Sequence, residues 1–136
     1  MKKGQKFEFL ELVEFLKNEN SSWKIIATGG TYWYLNYLYL YKYNFHLDYF
    51  EYTDGGSPCF SLVAMENGRE VAHVQFGGYD DLTYKIEVYN ENPLEILIDW
   101  RENYENGDSQ LVILQKVSIP KEDAEAKVLP DKSSIT

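Results

Sequence analysis

The chain has 136 residues, 44% of them hydrophobic, which corresponds to one domain able to bury a core without disulfides or metals. Thirteen basic residues against 22 acidic ones give a net charge of −9, which argues against broad binding to nucleic acid or anionic membranes. Because Cys59 is the single cysteine, an internal disulfide and a CxxC pair are excluded.

No targeting or membrane segment is indicated near the start of the sequence. Glu8, Glu11 and Glu14 interrupt the apolar run that a signal peptide needs after its basic residues. The most apolar stretch, 32–41, is too short and too rich in hydroxyl groups to span a bilayer. With a single cysteine as well, we expect a cytoplasmic protein.

Residues 6–19 are predicted to form an amphipathic helix. Phe9, Leu12, Val13 and Leu16 recur at the spacing of one helical face, with glutamates mostly on the other side. The polar residues that follow favour an end to the helix near residue 19.

A strand is predicted over 23–28, closed by Gly29-Gly30, and an aromatic segment follows at 32–52. This segment holds eleven aromatic residues, eight of them tyrosine, and such residues favour a pleated, half-buried surface. We therefore predict strands here, with a bend near Asn44. A helix over 31–43 remains the alternative, because some of the aromatic residues also form a helical stripe.

Residues 59–76 contain the clearest hairpin, since two apolar runs flank Asn67-Gly68. The simplest register places Leu62 opposite His73, and therefore places Cys59 and His73 on opposite faces. Alternation after the hairpin predicts another strand over 84–90.

The next segment, 93–105, is predicted to be a helix on its capping pattern. Asn92 would be the N-cap, Pro93 the first helical residue and Glu95 the third, a variant of the capping box. A strand remains the alternative, because every second residue over 94–100 is apolar.

Residues 110–119 carry apolar side chains on both faces, which is typical of a central strand. The expected fold class is α+β: an N-terminal helix, a mostly antiparallel sheet of five to six strands, and a second helix before the last strand. This domain would span 1–119, and the polar segment 120–136 would be a flexible C-terminal tail.

Acidic residues are concentrated between 80 and 108, where nine carboxylates oppose two basic residues, Lys85 and Arg101. Carboxylates three and four residues apart on the predicted helix repel one another, so they would form a mildly unfavourable ridge. Such a ridge is a candidate contact for a basic partner, although solubility alone would also account for it. The candidate acidic contact residues are Glu91, Glu95, Asp99, Glu102 and Glu105.

The aromatic segment supplies further candidate contacts, because tyrosine is a favoured anchor of protein interfaces. Tyr37, Tyr39 and Tyr41 alternate along the predicted strand and are candidates for an exposed, partner-binding patch. The alternative is that these side chains pack within the sheet.

Catalytic chemistry is weakly indicated, so no catalytic residue, cofactor or metal is assigned. The sequence has no HExxH motif, P-loop or metal-spaced set of Cys and His residues. An acidic pair, Asp80-Asp81, would suit a divalent cation but is common without one. An enzyme without a recognisable motif, using His46, His73 or paired carboxylates, remains a hypothesis.

In size, acidic balance and composition the whole chain resembles small acidic bacterial immunity proteins and phage anti-defence proteins. That resemblance implies a compact domain without catalytic motifs that blocks a toxin, nuclease or defence effector by occluding it. We therefore expect a non-catalytic, stoichiometric inhibitor of a basic protein, without direct contact to nucleic acid or membranes. An exposed sheet edge or aromatic patch would favour a homodimer. The alternative function is a domain that binds or sequesters a nucleotide or sugar in an aromatic pocket.

Overall fold

A computed structural model describes residues 1–19, 21–30, 38–52, 58–77, 82–102 and 109–117. In these ranges the chain forms eight strands, one α-helix and one short 3-10 helix. The elements are β1 (Lys6–Phe7), α1 (Phe9–Asn18), β2 (Ser22–Gly30), the 3-10 helix (Leu38–Lys42), β3 (Asn44–Tyr52), β4 (Pro58–Glu66), β5 (Arg69–Gly77), β6 (Leu82–Glu91), β7 (Leu94–Glu102) and β8 (Ser109–Val117).

The eight strands form one antiparallel sheet in the order β1-β6-β7-β8-β2-β3-β4-β5. The predicted α+β fold, with five to six strands and two helices, is therefore wrong, because the described part of the chain is mostly β. β8 pairs with both β7 and β2, which confirms the prediction of a central strand. The predicted tail, 120–136, lies outside the described residues.

The N-terminal helix is confirmed over Phe9–Asn18 as α1, whereas Lys6 and Phe7, which the prediction included, form β1. Leu12, Val13 and Leu16 are buried against the sheet, as the helical spacing predicts. At its start the backbone N–H of Glu8 donates to Glu11 Oε1 at 2.7 Å, which satisfies a donor that has no partner within the helix.

The predicted second helix is wrong, since its residues form β7. Asn92 and Pro93 make a two-residue turn between Glu91 and Leu94, which are paired across the hairpin. Asn90 Nδ2 supports the turn by donating to the carbonyl oxygen of Pro93 at 3.0 Å. The apolar alternation that favoured a strand decides the outcome, because it lets β7 bury one face while pairing with β6 and β8.

The β4–β5 hairpin is confirmed, but its predicted register is wrong by one residue. Asn67 and Gly68 both have positive φ, 56° and 75°, as the tight turn requires. A bulge near Met65 then places Val63, and not Leu62, opposite His73. Cys59 and His73 therefore share a face, separated by four positions along the ladder, or about 13 Å.

In the aromatic segment, the strand is confirmed only from Asn44 onward. Residues 38–42 form the 3-10 helix and 31–37 lie outside the described residues, as does most of the turn predicted at 54–58. The 3-10 helix packs on β2, where the hydroxyl of Tyr41 lies 2.8 Å from Thr28 Oγ1 in a hydrogen bond.

The sheet folds over on itself, so that the inner face of β3–β5 meets the inner face of β6, β7, β8 and β2. At the bend, β2 and β3 pair only through Trp23 with Phe45 and Lys24 with Asn44. The Gly77 N–H, at the end of β5, donates to the hydroxyl of Tyr84 on β6. The two halves therefore share one hydrophobic core.

Five aromatic side chains form a closed cycle of contacts that links α1 to both halves of the sheet. Each ring lies within about 6 Å of the next, inside the range where aromatic pairs attract one another. The centroid distances are 5.4 Å for Phe9–Phe60, 5.1 Å for Phe60–Phe76, 5.3 Å for Phe76–Trp100, 6.0 Å for Trp100–Tyr84 and 4.9 Å for Tyr84–Phe9. We call this set of five side chains the aromatic cluster.

Within the described ranges, no helix combines the length and the apolar character needed to cross a membrane.

Truncating one side chain of the aromatic cluster should strongly lower the free energy of unfolding. Phe76→Ala removes a buried side chain that touches both halves, and we expect a cost of about 3–5 kcal/mol in urea denaturation. Val71→Ala, on the same strand but 38% exposed, is the control and should cost less than about 1 kcal/mol. Equal losses of unfolding free energy for the two variants would show that the aromatic cluster does not hold the two halves of the sheet together.

Candidate functional site

The predicted acidic ridge does not exist as a helical surface, because Glu91 lies on β6, and Glu95, Asp99 and Glu102 lie on β7. Glu95 and Asp99 share the outer face of β7, about 13 Å apart, with Leu97 between them. Glu91 lies at the end of β6, where its Oε2 accepts the backbone N–H of Lys3 at 3.1 Å. The side chain of Glu102 and all of Glu105 lie outside the described residues. That these five residues bind a partner stays a prediction.

The predicted tyrosine patch is only partly described. Tyr37 and the side chain of Tyr39 lie outside the described residues. Tyr41 is partly buried against the core, with its hydroxyl bonded to Thr28, so its ring is not a free anchor. The sequence reasoning missed Tyr89, whose side chain is 48% exposed on β6.

Tyr89 owes its exposure to a bulge in the β6–β7 ladder. Four ladders contain such an irregularity, and in each the extra residue is exposed. A bulge inserts one unpaired residue and changes the direction in which its side chain points. The four extra residues are Ile26, Asp48, Val71 and Tyr89.

Two of these bulges lie on the same face of the sheet. Tyr89 on the outer strand β6 and Ile26 on β2 adjoin one row of paired residues that crosses the four strands, but on opposite sides of it, because β6 and β2 run antiparallel. Between them Leu97 on β7 and Ile113 on β8 are direct partners. None of the four belongs to the core cluster. We call Tyr89, Leu97, Ile113 and Ile26 the outer strip.

The outer strip crosses four adjacent strands, which gives it a length of about 14 Å at the usual strand spacing. Its centre is well packed, since Ile113 is only 8% exposed, whereas Ile26 at one margin is 38% exposed. Leu111, next to Ile113 on the same face, is partly buried and widens the apolar area. The two margins of the strip, Tyr89 and Ile26, are thus exposed, whereas Leu97 between them is partly buried.

Carboxylates border the outer strip, and they differ in what they bind. Glu95 accepts a 2.7 Å hydrogen bond from Gln115 Nε2, so its position is fixed by the neighbouring strand. Glu87 lies 3.3 Å from Lys6 Nζ and 3.7 Å from Lys85 Nζ. Among the described side chains, Asp99 has neither a hydrogen bond nor an ion pair, although Lys85 is its partner in the ladder. Of these three described carboxylates, Asp99 is therefore the one open to an external cation.

The described residues offer little for catalysis. No group of three or more His, Cys, Asp or Glu in these ranges is placed to hold a metal ion. His46 and His73 lie on either side of Val63, two strands apart, or about 10 Å. His73 Nδ1 lies 3.4 Å from Glu70 Oε2, and both side chains are about half exposed. Asp80 and Asp81, the candidate cation pair, lie outside the described residues.

Comparison with family models, with curated proteins and with solved structures gave no match. Function is therefore inferred from the residues of this chain.

The two carboxylates that flank Leu97 should differ in their effect on stability. Glu95→Ala removes the acceptor for Gln115 on a partly buried face, and we expect a cost of about 1 kcal/mol in urea denaturation. Asp99→Ala removes no internal contact and should change the free energy of unfolding by less than about 0.5 kcal/mol. If Asp99→Ala is the more costly of the two, Asp99 has a structural role and is not free for a partner.

Proposed function

We propose that this protein is a non-catalytic, stoichiometric binding protein of the cytoplasm that occludes a basic surface of another protein. The outer strip and its acidic border supply the contact. The supporting observation is the presence of four apolar side chains on one face of four adjacent strands, with Glu95 and the unpaired Asp99 on either side of Leu97.

The arrangement of the face supports a protein partner. Interfaces have an apolar centre and a polar rim, and energetically important contacts are enriched in tyrosine. Here Leu97 and Ile113 form the centre, Tyr89 lies at a margin, and carboxylates form the rim. The strip and its flanking rows cover about 14 Å by about 13 Å, roughly a quarter of the ~800 Å² per partner in a standard interface. The outer strip is thus the centre of a larger contact.

The charge of the chain supports a basic partner. A net charge of −9 attracts a cationic surface at long range and speeds the encounter. At short range, a lysine or arginine of the partner would pair with Asp99 without displacing an internal cation. The partner surface that fits is therefore an apolar side chain with a basic residue close to it.

The test uses the tagged full chain to capture proteins from a bacterial lysate, with two matched pairs of variants. Leu97→Asp places a charge at a partly buried residue of the outer strip, whereas Val71→Asp makes the same change at an exposed apolar residue on the other half. Asp99→Asn and Asp48→Asn each remove one carboxylate, only the first of them beside the outer strip.

We expect one protein to be retained by the wild type, Val71→Asp and Asp48→Asn, and lost with Leu97→Asp. Loss of a central contact worth about 2 kcal/mol weakens binding about 30-fold. Asp99→Asn should weaken binding less, and its effect should vanish in 1 M salt, where the screening length falls to about 3 Å. Capture that survives Leu97→Asp, or that is lost equally with Val71→Asp, would rule out the outer strip as the binding site.

A further inference from the structure

Glu87 pairs with two lysines on the outer face of the sheet. Its Oε2 lies 3.3 Å from Nζ of Lys6, its ladder partner on β1, and its Oε1 lies 3.7 Å from Nζ of Lys85, two residues away on β6. The side chain of Glu87 is 22% exposed, against 69% for Lys6 and 60% for Lys85. Because a lysine side chain is long and flexible, the two ammonium groups can move, and the carboxylate sets where they lie.

Lys85 has a second acidic neighbour, because Asp99 lies directly opposite it in the β6–β7 ladder. The Cβ atoms of such a cross-strand pair are about 4.5–5.5 Å apart, so opposite charges there attract one another. Among the described residues, however, Asp99 makes no ion pair or hydrogen bond, and the ammonium group of Lys85 lies beside Glu87 instead. Glu87 and Asp99 therefore compete for one lysine, which pairs with Glu87 in this structure.

We propose that Glu87 is a positioning residue for partner binding, because its ion pair with Lys85 leaves the carboxylate of Asp99 available to a basic residue of the partner. This inference rests on the proposed function, in which Asp99 pairs with that residue. If Lys85 paired with Asp99 instead, a partner cation would have to displace it, and the ion pair across the interface would contribute less to affinity. Removing the charge of Glu87 should therefore weaken binding through Lys85 and Asp99.

A simpler role for Glu87 leads to a different expectation. If its negative charge only attracted the partner at long range, neutralising either lysine would offset the loss of Glu87 equally, because each change restores the net charge of the chain. If Glu87 acts by holding Lys85, only the neutralisation of Lys85 offsets it. Lys6 is the matched control, because it lies on β1, two strands away from Asp99 on β7.

The first experiment needs no partner and measures whether Asp99 is available to an external cation. The full chain is treated with a water-soluble carbodiimide and an excess of ethylenediamine, and the products at Asp99 are quantified by peptide mapping with mass spectrometry. Ethylenediamine forms an amide with an available carboxylate, whereas a lysine in contact with that carboxylate forms a direct cross-link to it. In the wild type we expect Asp99 to carry mainly ethylenediamine. In Glu87→Gln, which keeps the side-chain size and removes the charge, the amide should fall about threefold and a cross-link between Lys85 and Asp99 should appear.

The control variant Lys6→Gln should give the products of the wild type, since it leaves the pair between Glu87 and Lys85 in place. Equal labelling of Asp99 in the wild type and in Glu87→Gln would overturn the inference. So would a Lys6→Gln variant that changes the products as much as Glu87→Gln does.

The second experiment measures the Kd for the protein that the wild type retains, at about 0.1 M salt, where the screening length is about 10 Å. Binding should be about threefold weaker for Glu87→Gln, the scale of one exposed ion pair. The double variant with Lys85→Gln should bind as tightly as the wild type, whereas the double variant with Lys6→Gln, which has the same net charge, should stay weaker. In an Asp99→Asn background, Glu87→Gln should have no further effect.

Rescue by both lysine substitutions, or by neither, would overturn the role of Glu87 in positioning Lys85. If the wild type retains no protein, the proposed function fails and the role of Glu87 in binding fails with it. The labelling at Asp99 does not depend on a partner, so it separates that failure from a failure of the inference about Lys85.

Discussion

The aromatic cluster holds the two halves of the sheet together, and this contact is the constraint on which the rest of the structure depends. At the bend the halves are joined through only two pairs of residues, too few to fix their relative orientation by backbone hydrogen bonding. Phe76 from one half meets Trp100 from the other in an edge-to-face contact, and Phe9 brings α1 against both. Each aromatic pair adds about 0.5–1.5 kcal/mol beyond the burial of its area.

The outer strip follows from this inner packing. Because Ile96, Ile98 and Trp100 face the core, the pleat of β7 must present Glu95, Leu97 and Asp99 on the other side. The same sheet therefore carries two surfaces with different chemistry: an aromatic interior, and an apolar exterior bordered by carboxylates. The bulges add Tyr89 and Ile26 to that exterior without disturbing the inward residues beside them.

The elements that the sequence could predict are those with one consistent periodicity. The helical spacing of Leu12, Val13 and Leu16 and the Asn67-Gly68 turn leave little choice of structure. Asn92-Pro93 was misleading, because the same dipeptide suits a helix start and a tight turn, and only pairing with β6 decides between them.

The candidate site was harder to predict, because it depends on register. A bulge changes the register by one residue and cannot be read from alternation alone, so the exposure of Tyr89 and the shared face of Cys59 and His73 were both missed. Glu95 and Asp99 were identified from charge, and the strand still places them on one face, although for a different geometrical reason.

The most direct test of this account is a double-mutant cycle between Phe76 and Trp100, measured by urea denaturation with the single variants Phe76→Leu and Trp100→Leu and the double variant. The two rings belong to different halves of the sheet, with centroids 5.3 Å apart, so the account predicts a coupling of about 1 kcal/mol. Costs that add to within about 0.3 kcal/mol would show that the rings do not interact, and would contradict a fold closed by aromatic contact between its halves.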